Sequence, residues 1–422
     1  MAGLMFVFLF IFLILGVPIA FALGISGLVT VVNSGVPLII LPQRIFYTMD
    51  SFVLLSIPMF LLAGNLMEYG GVTQKLIDFA KALIGHVRGG LAYVNVLVSM
   101  IFAAISGSPV SDTSAVGSIM MPAMKKEGYN MRFVTPLQAA AGSMGGIIPP
   151  SIPMIIFAVT AGGLSIKAIF MAGIVPGILV ALVLLVLSYI FAGNVDSRGK
   201  FSWRILYEKA RDAVLAMFAP FIILGGIISG YFTPTESAVI AVLYALIVGM
   251  FVYRKLSVRH FPEIAKKTAL ATGMVMMILG SASLYSWILS SEQVPQKVAE
   301  LIMSISDNKW VILIIINFIL LIAGTFLDTS SAIIGLVPIL YPIAVGIGID
   351  PVHFAIIFII NLSIGMLTPP VGITLMVASS ISKVPLLQTM KHTIIVVGGL
   401  LLVLVIVTVF PDLVLYVPNM MK

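Results

Sequence analysis

The chain has 422 residues, of which 60% are hydrophobic and only 9% are charged, and its formal net charge is +7. A soluble domain carries roughly 25% charged residues, so this composition excludes a soluble protein and indicates an all-α integral membrane protein. The lack of cysteine excludes disulfides, iron–sulfur clusters and thiol catalysis.

Nearly charge-free runs follow one another along the chain and predict roughly ten to twelve membrane elements. The first run, 3–32, is too long for a signal-peptide core, so we expect it to stay in the membrane. Basic segments at 196–212 and 254–267 are separated by two apolar spans, which places both on the cytoplasmic side and the Thr233-Pro234 turn outside. Surface helices are predicted at 196–212 and at 72–88, where a connecting loop is the alternative.

Two Pro-Pro pairs interrupt apolar stretches. They lie in GSMGGIIPPSIPM (142–154) and GMLTPPVGI (365–373). Proline has no N–H to give to the carbonyl four residues earlier, so Pro149 releases the carbonyl of Gly145, and Pro369 that of Gly365. Such carbonyls persist in lipid only where protein, water or an ion satisfies them. Matching breaks in two halves of a membrane protein indicate a transport site near the midplane.

A Gly/Ser/Thr-rich segment with one aspartate precedes each break. We expect these segments to form re-entrant helical hairpins, because non-helical backbone at membrane depth must line a cavity or be buried in protein. The predicted tips are Ser106–Ser111 and Gly324–Asp328. The hairpins are predicted over 101–125 and 320–345, and the broken helices over 134–162 and 354–382.

Regular spacings indicate an internal repeat. Pro18 and Pro234, Asp112 and Asp328, and Pro122 and Pro338 are 216 positions apart, whereas Gly145 and Gly365, Pro149 and Pro369, and Pro150 and Pro370 are 220 apart. We therefore predict two related repeats, 1–210 and 211–422, that interweave into one transport unit. Transporter repeats are often inverted across the membrane, and the span count leaves this parity open.

The tips and breaks offer hydroxyls and carbonyls, an all-oxygen set that suits a hard cation such as sodium. The predicted sodium ligands are Ser106, Ser108, Gly145, Ile148 and Pro149 in one set and Gly324, Gly365, Thr368 and Val371 in the other. The alternative is two kinked helices whose hydroxyls bond to their own turns.

Half-helices that begin near the two aspartates would attract an organic anion to their positive ends. The predicted substrate-binding residues are Ser111, Asp112, Thr113, Asp328, Thr329 and Ser330. The alternative role of both aspartates is to cap or stabilise the first helical turn. Arg44, Arg132 and Lys167 are further candidate carboxylate partners, with a loop or interface position as the alternative.

Five motifs resemble, in the same order, those of the large membrane subunit of tripartite ATP-independent periplasmic (TRAP) transporters. They are SGSPVSD (106–112), MGGIIPPSIPMII (144–156), YFTPTESAV (231–239), LDTSSAI (327–333) and GMLTPPVGI (365–373). Pro109 and Ser111 depart from the family pattern, which commonly has alanines there.

The resemblance implies sodium-driven import of carboxylates, such as C4-dicarboxylates or sialic acids, across the bacterial inner membrane by an elevator movement. It also implies a small four-helix membrane subunit on a separate chain and a periplasmic substrate-binding protein as partners. The family's sodium ligands lie at the hairpin tip and Pro-Pro break of each half, where the two predicted sets lie.

Three other functions compete with this interpretation. An intramembrane aspartyl protease needs two carboxylates that share a proton, but its GxGD pattern is absent at Asp112 and Asp328. A plain ion channel leaves the anion-attracting helix ends unexplained. A sodium- or proton-coupled carboxylate or ion transporter that works without a binding protein is the third alternative.

Overall fold

The computed structural model describes residues 1–192, 195, 201–305 and 308–420, and this part of the chain is helical without strands. The first ten α-helices are α1 (Ala2–Ile14), α2 (Ile19–Asn33), α3 (Ile40–Met49), α4 (Ser56–Tyr69), α5 (Val72–Ile84), α6 (Gly90–Ser106), α7 (Pro109–Lys126), α8 (Met131–Ser143), α9 (Ile152–Thr160) and α10 (Ile166–Ala192). The next ten are α11 (Trp203–Ile228), α12 (Pro234–Ile247), α13 (Phe261–Ser291), α14 (Val294–Ile305), α15 (Lys309–Phe326), α16 (Thr329–Gly346), α17 (Pro351–Gly365), α18 (Ile373–Ser382), α19 (Leu386–Val409) and α20 (Pro411–Met420).

Eight helices of the described part are long and apolar enough to cross a membrane, and shorter apolar helices accompany them. The eight are Phe52–Tyr69, α10, α11, Pro234–Val252, Val258–Ser291, α15, α16 and α19. A helix of about 20 apolar residues matches the thickness of the hydrocarbon layer. This architecture is that of a multi-pass membrane protein.

The Pro-Pro pairs break two helices, as the sequence predicts. α8 ends at Ser143, a 3₁₀ turn covers Met144–Gly146, and α9 begins only at Ile152. Likewise, α17 ends at Gly365 and α18 begins at Ile373. Both breaks fall where proline cannot donate the helical hydrogen bond.

The broken helices form the centre of the molecule. Every residue of α8 from Phe133 to Ser143 is buried, and so is every residue of α17 from His353 to Gly365. α17 contacts α8, α9 and the 3₁₀ turn between them, so the two breaks pack against each other. A helix that is apolar on all sides is expected at such a buried position.

The helix starts correct the spacing between the halves. α7 starts at Pro109 and α16 at Thr329, and 329 − 109 is 220; the starts of α8 and α17, Met131 and Pro351, give 351 − 131, which is also 220. Asp328 therefore corresponds to Ser108, and the 216-residue pairing of Asp112 with Asp328 is wrong. The division into two repeats stays a prediction.

The predicted surface segments have separate outcomes. The helix predicted at 72–88 is α5, whereas residues 203–212 belong to the long helix α11 and residues 196–200 lie outside the described residues. The predicted limit at residue 210 falls inside α11, so no linker separates the halves there. Two ion pairs join α5 to α11: Lys75 Nζ to Asp212 Oδ2 at 2.8 Å and Lys209 Nζ to Asp78 Oδ2 at 3.5 Å.

Candidate functional site

The turn that joins α6 to α7, Gly107 and Ser108, contacts the break between α8 and α9, which is called the first break. The break between α17 and α18 is the second break. Gly107 has φ +64°, in the left-handed region that favours glycine, and a side chain there would collide with the Pro150 carbonyl. Its own carbonyl accepts a hydrogen bond of 3.1 Å from the N–H of Ile152 at the start of α9. The turn is thereby fixed against the broken helix.

A buried carboxylate lies at this contact. Asp112 is fully buried, and its Oδ1 accepts a short hydrogen bond from the Ser106 hydroxyl. Its Oδ2 has no hydrogen-bond partner among the described residues. Gly145 lies against it so closely that a Cβ there would collide with Oδ2. An unpaired buried carboxylate oxygen is costly unless a proton or a cation lies beside it.

Three backbone carbonyls of the first break are open. Within the described residues no N–H or O–H donates to the carbonyls of Gly145, Ile148 or Pro149, which the sequence predicts as sodium ligands. The adjacent Gly146 carbonyl instead accepts a 2.7 Å hydrogen bond from the Ser151 hydroxyl. An unpaired carbonyl has a cost when buried, and carbonyl oxygens are among the ligands that a hard cation prefers.

The second break satisfies more of its own oxygens. Thr368 donates its N–H to the Gly365 carbonyl at 2.8 Å and its hydroxyl to the Ile364 carbonyl at 2.9 Å. The Met366 carbonyl accepts from the N–H and the hydroxyl of Thr374, at 3.1 and 2.9 Å. The prediction that Pro369 leaves the Gly365 carbonyl unpaired is therefore wrong, because a tighter turn supplies a new donor.

The turn between α15 and α16, Leu327 and Asp328, lies at the second break, as the turn between α6 and α7 lies at the first. The N–H of Gly372 donates to the Thr325 carbonyl at 3.3 Å. A Cβ on Gly365 would collide with the backbone of Gly324, so both chains need glycine at their closest approach. The predicted ligands Gly324 and Val371 lie in this region, and no donor in the described part reaches either carbonyl.

Asp328 is the N-cap of α16, which is the capping role given above as its alternative. Its Oδ2 accepts from the N–H groups of Ser330 and Ser331, at 3.0 and 3.2 Å, and its Oδ1 accepts a short hydrogen bond from the Ser331 hydroxyl. Asp112 is not the N-cap of α7, which begins at Pro109, but as the fourth residue it lies in the first turn, which is the other form of that alternative. The two aspartates therefore have different structural roles: Asp328 caps a helix, and Asp112 is a buried residue with one unpaired oxygen.

A central cavity of about 270 Å³ lies between the two turns. Its walls include Ser108, Pro109, Val110, Ile152, Pro153, Asp328, Thr329, Ser330 and Met366, with α4 and α13 supplying Leu61, Ala271, Met274, Val275 and Ile278. Both halves thus contribute polar groups to one space. The hydroxyl of Thr329 also contacts the Met366 sulfur at 2.8 Å, linking α16 to the second break.

The structure divides the predicted substrate residues. Asp328, Thr329 and Ser330 line the central cavity, but Ser111, Asp112 and Thr113 do not. Ser111, Asp112 and Thr113 lie in the first turns of α7, and the Thr113 hydroxyl donates to the Pro109 carbonyl at 2.8 Å. Their role in substrate binding stays a prediction.

Several residues that shape this region escaped the sequence analysis. Gly64 of α4 packs on Ser106, with 3.3 Å from an added Cβ to the Ser106 Cα. The buried hydroxyl of Ser363 has no partner in the described part and lies 3.2 Å from the position of a Cβ on Gly146. Small and hydroxyl residues in apolar helices were the available signal, since they mark close helix packing.

Comparison with known proteins agrees with this architecture. The family model of the "Tripartite ATP-independent periplasmic transporter, DctM component" matches residues 6–413. The C4-dicarboxylate TRAP transporter large permease protein DctM of Pseudomonas aeruginosa is 41% identical over 94% of this chain and 94% of its own length. The sialic acid TRAP transporter large permease protein SiaM of Vibrio cholerae is 37% identical over 96% of this chain and 95% of its own length.

A solved structure shares the fold. The YdaH transporter of Alcanivorax borkumensis superposes with a TM-score of 0.58, covering 88% of this chain and 87% of its own, at 14% sequence identity. At this identity the likeness concerns the fold alone.

Proposed function

Because the chain belongs to the DctM family, as the large permease component of a TRAP transporter in the bacterial inner membrane, we propose that it couples sodium entry to the uptake of an organic acid. The observation that carries the sodium part is the buried Asp112 oxygen without a partner, which lies against Gly145 in the break whose carbonyls at Gly145, Ile148 and Pro149 have no donor in the described part. The family consists of transporter components and not enzymes, so the aspartyl protease is discarded.

The first break would hold one sodium ion. Asp112 would supply the negative charge beside Ser106 and Gly145, and the carbonyls of Ile148 and Pro149 in the same break would complete the proposed shell. Oxygen ligands of this kind suit a hard cation, and one full charge strengthens its binding in a buried site. The second break would hold another ion through the carbonyls of Gly324 and Val371 and the Thr368 oxygen.

The central cavity would bind the acid. The start of α16 presents the N–H of Thr329 and the hydroxyl of Ser330, which suit a carboxylate, whereas the N–H groups of Ser330 and Ser331 are bonded to Asp328. The sodium ions would offset the negative charge of Asp328. C4-dicarboxylate and sialic acid are the solutes in the names of two relatives, so we assign this chain to the same class of organic acids.

Two partners and an elevator movement complete the proposal. The family is tripartite, so a small four-helix membrane subunit and a periplasmic binding protein would work with this chain, the latter delivering the acid. The turns and broken helices would form two re-entrant hairpin units that move as one block against the remaining helices. The burial of α8 and α17 against each other supports a single moving block.

Uptake into proteoliposomes tests the proposal. The vesicles contain this chain with its small subunit, and labelled succinate or sialic acid is added with the binding protein outside. We expect uptake that stops when choline replaces sodium at constant pH. Undiminished uptake driven by a proton gradient alone would overturn sodium coupling. Full uptake without the binding protein would favour the alternative of a transporter that works without one.

A further inference from the structure

A second, larger cavity lies farther along the helices that surround the central one. It has a volume of about 460 Å³, and α3, α9, α13 and α16 form its walls. On α13 the central cavity involves residues 271–278, whereas this one involves residues 279–290. With a rise of 1.5 Å per residue, Met274 and Trp287 are roughly 20 Å apart along the helix.

This outer cavity lies toward the external end of α13. The helix begins at Phe261, beside the basic segment 254–267, and ends at Ser291. Because basic segments favour the cytoplasm, the end at Ser291 points outward. An adjoining cavity of about 780 Å³ shares Tyr47, Thr48 and Val159 with it and reaches Pro234 at the predicted external turn.

Arg44 gives the outer cavity its charge. It is the single charged residue among those that line the cavity in the described part, and its guanidinium lies 5.7 Å from the centre of the Trp287 ring. No carboxylate within the described residues pairs with Arg44. Stacking on an aromatic ring leaves the N–H groups at the edge of the guanidinium able to donate to a carboxylate.

Hydroxyl groups complete the polar wall. Ser286 and Ser290 lie on the cavity side of α13, and in the described part neither hydroxyl donates to another group. Ser283 lies there too, although its hydroxyl donates to the Gly280 carbonyl at 2.7 Å. Lys167, the other cationic candidate on this side, lines the adjoining cavity together with Asp50, whose charge opposes it. The outer cavity is therefore the better anion site.

We propose that the outer cavity is a second binding site for an organic carboxylate, which Arg44 holds between the Trp287 ring and the free hydroxyls of α13 before it reaches the central cavity. Its volume lies within the range of small-molecule sites, roughly 300–1,000 Å³. The proposal rests on the proposed uptake of an organic acid, and it adds an entry station that requires no sodium.

Trp287 reports directly on this site. The chain has three tryptophans, and the others, Trp203 and Trp310, are exposed, so Trp203→Phe and Trp310→Phe isolate its fluorescence. Succinate and sialic acid are titrated in sodium-free choline buffer. We expect a saturable change for at least one acid, an apparent affinity at least tenfold weaker in Arg44→Gln, and unchanged binding in the matched control Arg259→Gln, an exposed arginine of the basic segment outside the cavity.

Results that contradict the outer binding site can be distinguished from results that contradict the proposed sodium-coupled uptake. The outer site is wrong if neither acid gives a saturable change, if Arg44→Gln titrates like its parent, or if the change requires sodium. It is also wrong if the anionic lipid phosphatidylglycerol produces the Arg44-dependent change and the acids do not. Uptake gives the independent reading: Arg44→Gln should raise the half-saturating acid concentration roughly fivefold and leave the sodium dependence unaltered.

Discussion

The two Pro-Pro breaks differ in what becomes of the backbone oxygens that proline releases. At the first, the carbonyls of Gly145, Ile148 and Pro149 receive no donor from the described residues. At the second, the Gly365 carbonyl is bonded to the N–H of Thr368. The carbonyls of Thr368 and Pro369, which stand 220 positions after Ile148 and Pro149, also receive no donor from the described residues, so the two breaks differ at the glycine carbonyl.

The aspartates add to the difference. Asp112 is buried in α7 with one oxygen unpaired. Asp328 precedes α16, and both of its oxygens accept hydrogen bonds from Ser330 and Ser331. A cation at the first break would relieve an existing cost. At the second break it would have to compete with hydrogen bonds that are already made. We therefore expect the first break to bind sodium more tightly.

The largest expected effect comes from Asp112→Asn, compared with Asp328→Asn. Loss of the buried charge should weaken sodium binding by about 3 kcal/mol, roughly a hundredfold in the half-saturating sodium concentration. Asp328→Asn keeps a good N-cap and should change that concentration less than about threefold. Sodium-dependent uptake measures both.

Thermal unfolding is the control for the aspartate variants. In sodium-free buffer, Asp112→Asn should melt no lower than the parent, because it removes an unpaired buried charge. Added sodium should then stabilise the parent more than Asp112→Asn. Equal shifts in sodium dependence for the two variants would contradict the assigned difference between the aspartates.

A smaller effect is expected when the prolines themselves are changed. Pro149→Ala provides an N–H for the Gly145 carbonyl, withdrawing one neutral ligand and raising the half-saturating sodium concentration by about tenfold. Pro369→Ala should change the half-saturating sodium concentration less than about threefold, because the Gly365 carbonyl already has a donor. Uptake is read beside melting temperature, and a folded Pro369→Ala with the larger loss would reverse the ranking.

The sequence predicted the broken helices and the family, whereas the burial of those helices at the centre of the protein was found in the structure. The predicted features depend on local chemistry, namely the missing N–H of proline and the long apolar runs, so a single sequence carries them. Five predicted ligands, Ser106, Ser108, Gly145, Ile148 and Pro149, lie at the first break and its turn. Their role as sodium ligands remains a prediction.

The roles of the aspartates could not be read from the sequence. They depend on whether the helix begins before or after the aspartate, and a shift of four residues turns an N-cap into a first-turn residue. The spacing of 216 between Asp112 and Asp328 concealed that shift. The partner that Thr368 provides for Gly365 was equally hidden, because a 3₁₀ bond replaces an α-helical one without any signal in composition.

The outer cavity was hidden for a different reason. Arg44 and Trp287 are 243 positions apart, since 287 − 44 is 243, and no local pattern connects α3 with α13. Long-range contacts of this kind arise from tertiary packing. Only the folded chain brings the cation, the ring and the serine hydroxyls together.

The expected difference in sodium affinity between the two breaks is tested most directly by calorimetry. Sodium chloride is titrated into the purified full chain in sodium-free choline buffer. We predict two binding events of different affinity, of which Asp112→Asn removes the tighter and leaves the weaker. A single affinity for all sodium bound, or loss of the weaker event in Asp112→Asn, would contradict the account.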